Sequence, residues 1–137
     1  MSGDRLGRLG RISANQESLY WLFRETRPFA VGAESAFISR RRPSAYGALV
    51  EVLCSIRYAL YRYDPWKVLR TYDPITVKMA VGASSFQGKS PMREALLDYP
   101  GLMEIYTGTT PFEDLDDHAI DALAVAICLL HALRHGK

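Results

Sequence analysis

Between two long helical patterns in this chain lies a run of five apolar residues, Phe29-Ala-Val-Gly-Ala33, that closes on Glu34. A run this short, starting just after Pro28, is too brief for a helix and suits a strand buried on both faces. Such a strand needs a parallel neighbour, and parallel neighbours are reached through a crossover helix. The feature therefore points to an α/β fold.

The rest of the chain fits that reading. Residues 4–26 read as a helix, with Leu9, Ile12, Leu19, Tyr20, Leu22 and Phe23 at helical spacing and Gly7 and Gly10 weakening its start. Ser44 is a candidate cap for a helix over 45–63, whose stripe is Ala45, Leu49, Val52, Leu53, Ile56, Ala59 and Leu60. Residues 66–72 read as a second strand. Asp73-Pro74 starts a helix that Gly82 stops, and Ser90-Pro91 repeats the signal for a helix over 91–99. Residues 100–110 read as irregular, and a last helix runs from about 113 to 134. The chain of 137 residues suits a single domain.

Several classes are excluded or disfavoured. No uninterrupted apolar run reaches the ~18–20 residues of a membrane span; the longest, from Ala119 to Leu130, contains Asp121. No apolar signal core follows the polar start, and the two cysteines, Cys54 and Cys128, lie in apolar helical patterns. A reduced, cytoplasmic protein without a membrane partner is expected.

Charge divides along the chain. Residues 1–72 hold twelve Lys/Arg and six Asp/Glu; residues 73–137 hold five and nine. A cationic surface for a polyanion beside carboxylates for metal ions would give this division. Two solvated, mutually compensating faces would give it equally.

Three residues stand out. Glu34 ends the first strand, where open parallel sheets build their sites. Asp121 interrupts an apolar helix, where an unpaired buried charge costs several kcal/mol, so it is expected to be paired, protonated or metal-bound. His118, three residues earlier, shares its face. The plainer alternatives are a strand-end carboxylate facing solvent or Arg40, and a polar helix edge shared with Asp114 and Asp117. His131 and His135 lack the glutamate of a zinc-protease motif and read as solvated C-terminal residues. Gly82-Ala-Ser-Ser-Phe-Gln-Gly-Lys-Ser90 has five residues between its glycines and follows a helix, so it is not a phosphate-binding Walker loop.

Taken together, these segments resemble the RuvC family of Holliday-junction resolvases, within the RNase H-like nucleases. Phe29-Ala-Val-Gly-Ala-Glu34-Ser-Ala-Phe37 is similar to the family's strand ending in a catalytic glutamate, with a phenylalanine three residues on. Tyr72-Asp-Pro-Ile-Thr-Val-Lys78-Met-Ala-Val-Gly82, with Lys89 downstream, resembles its Val-Lys-x-Ala-Val stretch. Asp117-His118-Ala-Ile-Asp121-Ala resembles its last metal-binding helix in the His-x-x-Asp-Ala form. The family's opening strands, with an Asp-x-Gly motif, have no counterpart here, so an RNase H-like sheet lacking its N-terminal strands is expected.

The resemblance implies an Mg²⁺-dependent endonuclease acting on four-way or branched DNA in recombination and repair. Glu34, His118 and Asp121 would be catalytic and metal-binding, around two Mg²⁺ ions, with Mn²⁺ as a substitute. Asp121 and Glu34 would give oxygen ligands; His118 would either ligate or act on the scissile phosphate's surroundings. Arg40, Arg41, Arg42, Lys78 and Lys89 would meet phosphates, and Phe37 would stack on or wedge between bases. A homodimer is implied by the junction's two-fold symmetry, with the helix bearing Tyr46, Tyr58, Tyr61 and Tyr63 as its candidate face. Packing of those tyrosines in the core is the equal alternative.

Overall fold

The computed structural model describes residues 2–36, 45–86, 88 and 90–136. Among these residues, six helices and two strands follow in the order α1 (Ser2–Thr26), β1 (Gly32–Glu34), α2 (Ala45–Tyr63), β2 (Arg70–Tyr72), α3 (Pro74–Val81), α4 (Pro91–Asp98), α5 (Leu102–Ile105) and α6 (Asp117–His135), with 3-10 turns at Ala83–Ser85 and Phe112–Asp114. They form two compact units, residues 1–71 and 72–137.

The first unit is a helix–strand–helix crossover. α1 lies along α2, and its ion pairs define their direction. Arg8 pairs with Glu51, and Arg62 pairs with Glu17 at 2.7 Å. The two pairs bridge sequence separations of 43 and 45, so the helices run parallel, as a crossover through β1 demands. Phe23, Leu53, Ala59, Leu60 and Leu69 form the core, with Leu19, Tyr20, Val31, Ala33 and Ile56 packed around them. β1 and β2 make a two-stranded parallel sheet. Arg70 N–H donates to the Val31 carbonyl at 3.1 Å, one residue ahead of β1.

Both strands are shorter than their apolar runs suggest. Pairing covers only three residues on each side, and Phe29, Trp66 and Val68, read as strand residues, are exposed. Two helical stripes also bury less than their spacing implies. Leu9 and Leu22 of α1, and Leu49 and Val52 of α2, remain exposed. Part of the reason is a groove of about 680 Å³ between the two helices, lined by Ile12, Leu19, Leu22, Val52 and Ile56. Tyr46, Tyr58 and Tyr61 of α2 also face outward rather than into the core.

The second unit is helical and built on α6. Ile120, Ala124, Val125, Ile127 and Cys128 of α6 pack with Val77 and Val81 of α3, Ala95 and Leu96 of α4, Ala83 and Phe112. Each fully buried Leu, Ile, Val or Phe among them contributes roughly 1.5–3 kcal/mol. α6 is also, by length and composition, long and apolar enough to cross a membrane. Here it is the core helix of its unit, with six of its residues buried.

The start signals act locally. Asp73 caps α3: its Oδ1 accepts from Thr76 N–H at 2.7 Å, and Pro74 takes the first helical position. Gly82 closes α3 in the left-handed conformation, φ +77°. Ser90 precedes α4 but makes no side-chain cap bond. α6 starts at Asp117 rather than near 113, because Phe112–Asp114 closes as a separate 3-10 turn and Asp116 supplies the cap. The stretch read as irregular contains the short α5.

Candidate active site

α6 sets out the site. Asp116 Oδ1 accepts from Ala119 N–H at 2.8 Å, and its carbonyl accepts from Ile120 N–H at 3.0 Å, which fixes the first turn. Ile120 and Ala124 then face the core. The helical period turns Asp117, His118 and Asp121 to the opposite, exposed face, one turn apart. Asp121 therefore does not carry the burial cost its apolar neighbours suggest. It occupies the solvent edge of a half-buried helix, shared with Asp117.

The electrostatics of that edge are still unusual. Partial desolvation, and then the neighbouring Asp117 charge, raise the Asp121 pKa above the usual carboxylate value; His118 and Lys78 pull it back. Lys78 comes from α3. Its neighbour Val77 is buried and packs α3 against α6, which leaves Lys78 exposed beside the carboxylate face. The second unit thus brings together three of the residues marked in the sequence: Lys78, His118 and Asp121.

Glu34 is the last residue of β1, exposed, at the carboxyl end of the first unit's strand. Phe37, Arg40, Arg41, Arg42 and Lys89, and the Ser44 cap, lie outside the described residues. Among the described residues, no group of three or more His, Cys, Asp or Glu side chains is arranged to hold a metal ion. Asp121 and Asp117 offer the hard oxygen donors that Mg²⁺ prefers, so the donors suit such an ion in kind but are too few to enclose it.

The sequence reading passes over Arg93 of α4. Its Nη1 donates to the Phe112 carbonyl at 3.3 Å and its Nη2 to the Leu115 carbonyl at 2.5 Å. Nη2 also lies 3.9 Å from Asp117 Oδ1, and the guanidinium sits 6.0 Å from the centre of the Phe112 ring. No spacing rule links residue 93 to residues 112–117; only the folded α4–α6 packing does. At the other end of α6, the Tyr99 hydroxyl and His131 Nε2 are hydrogen-bonded at 2.8 Å. His131 is therefore half-buried and tied to α4's end rather than simply solvated, whereas His135 is exposed.

No protein-family model and no curated protein matches the chain. Solved structures do. A Thermus thermophilus RuvC in complex with a Holliday-junction substrate is 23% identical with a TM-score of 0.68, over 93% of this chain and 71% of that one. A second T. thermophilus RuvC structure is 23% identical with a TM-score of 0.69, over 93% of this chain and 70% of that one. The chain has a RuvC-like fold.

Proposed function

We propose that the chain acts on branched DNA as a RuvC-like junction endonuclease, with its chemistry at the amino-terminal turn of α6. The observation that carries this reading is the exposed grouping of His118, Asp121 and Lys78 in a RuvC-like fold: a carboxylate and an imidazole one helical turn apart, with a cation beside them. Asp121 and Glu34 would each be an oxygen ligand for divalent cations, two Mg²⁺ or Mn²⁺, whose chemistry when bound would be activation of water and stabilisation of the leaving oxygen. His118 would complete the ligand set or act on the scissile phosphate's surroundings.

Lys78, whose charge acts on Asp121, would offer positive charge to a phosphate at that carboxylate. Arg40, Arg41, Arg42 and Lys89 would extend the contact along the backbone, and Phe37 would stack at the branch. Such binding is mostly to phosphate and falls steeply with salt. The exposed tyrosines of α2 support a homodimer, suited to paired cuts in a two-fold substrate. The natural setting would be recombination and repair of DNA in the cytoplasm.

A second reading is a junction-binding module without cleavage. It is favoured by the lack, among the described residues, of a complete metal-holding group.

Incubating the protein with a synthetic four-way junction and Mg²⁺ separates the two. Cleavage that disappears in Asp121→Asn supports the nuclease. Salt-sensitive binding without cleavage supports the binding module. Neither binding nor cleavage overturns both and leaves the fold alone.

A further inference from the structure

The first turn of α6 carries Asp117, His118 and Asp121, yet it is an end, and helix ends fray unless tied down. Its internal tie is the Asp116 cap, which bonds Ala119 N–H and supports Ile120 N–H. A cap works only if its own residue is held in place. Asp116 follows Leu115 directly, and the Leu115 carbonyl is the one that Arg93 grips most closely, at 2.5 Å. Its second grip, on the Phe112 carbonyl, holds the start of the 3-10 turn that leads into the cap. Phe112 itself is 6% exposed, so the turn is anchored at one end by burial and at the other by Arg93.

We propose that Arg93 is a positioning residue for the proposed site: it fixes the 112–115 turn, thereby the Asp116 cap, and thereby the places of His118 and Asp121. This rests on the reading of that turn as the reactive one. Arginine suits the task because its planar fork can reach two carbonyls at once while its charge lies beside Asp117; lysine offers a single point of attachment. The side chain is 24% exposed, and its two bonds to backbone carbonyls are those of a brace. The effect reaches the reaction through geometry, where small misplacements of reacting groups cost much of the rate.

The test compares the unchanged full chain with Arg93→Gln and Arg93→Lys. Backbone amide exchange is followed at Ala119, Ile120 and Asp121 and, as an internal reference, at residues 127–133. In Arg93→Gln the first-turn amides should exchange about tenfold faster relative to that reference. With a four-way junction and Mg²⁺, kcat should fall about tenfold while KM stays within about twofold. Arg93→Lys should fall between the two on both measures; if the glutamine variant does not fold, the lysine variant carries the comparison.

Unchanged first-turn exchange overturns the proposal, as does an unchanged kcat in a protein that cleaves. A rise in KM at constant kcat also overturns it, since Arg93 would then be holding DNA. A parent protein that does not cleave defeats the nuclease reading by itself, and the exchange data alone then decide whether Arg93 positions the turn.

Discussion

The Lys78 ammonium on α3 acts on the Asp121 carboxylate on α6, opposing the desolvation and the Asp117 charge that make this acid reluctant to ionise. Removing the cation should leave those two influences with only His118 to balance them. In Lys78→Met the Asp121 pKa, followed by NMR of the side-chain carboxyl, should rise further above its ordinary value. If Lys78 also meets DNA, junction binding should weaken and the slope of log affinity against log salt should flatten by about 1. An Asp121 titration that does not move would show that the two charges do not communicate.

Asp121 also gives stability a pH dependence of definite sign. Because its folded pKa lies above the ordinary 3.8, the folded chain holds this proton more tightly than the unfolded chain. The resulting stabilisation is complete below 3.8 and is lost as pH rises through the folded value. Asp121→Asn does not titrate, so it should melt higher than the parent at pH 7, with the gap closing in acid. Screening at an exposed position keeps the difference small, about 1–2 °C. The same variant should lose cleavage by roughly 100-fold or more. A gain in stability with a loss of activity would mark the carboxylate as kept for function.

Asp73 has the opposite sign. Its hydrogen bonds from the Thr76 backbone and side chain lower its pKa below 3.8. Its contribution is therefore present above 3.8 and lost as pH falls through the lower folded value. Asp73→Ala should reduce Tm by about 2–5 °C at pH 7 and by little near pH 2, as read by thermal melts across that range.

The two caps can be compared directly. Asp116→Ala should cost about 1 kcal/mol and loosen the amides of Ala119 and Ile120 first. Urea melts give the cost, and amide exchange shows where it falls. Uniform loosening along α6 would mean that the cap is not what fixes the first turn.

Leu96, fully buried in the second unit, reports on packing alone. Leu96→Ala should destabilise by about 2–5 kcal/mol in chemical denaturation, the usual cost of such a cavity. Leu96 lies in the core rather than at the surface, so protein that remains folded should bind junction DNA with unchanged affinity.

Much of this architecture is legible in the residues. Pro28, Asp73-Pro74 and Gly82 act over a few positions, and the structure places element boundaries beside them. Apolar periodicity marks α2 and α6 because packing one face of a helix is a local pattern repeated. It overstates burial at Leu49 and Val52, because whether a stripe is covered depends on how closely another helix approaches. The same limit applies to Asp121: its neighbours in sequence are apolar, but the helix turns it away from them. Arg93 shows the larger gap. Its partners are backbone carbonyls some twenty residues away, and carbonyls leave no trace in a sequence.

Gly82 carries a last consequence. Its φ of +77° is one that L-residues adopt only with strain, yet a Cβ built there meets no atom within 4 Å. The demand at this position is thus for handedness rather than for room. A D-alanine, introduced by chemical ligation, would match the handedness of the backbone at this position. It would restrict the unfolded chain more than glycine does, turning the stop of α3 from a tolerated bend into a preferred one.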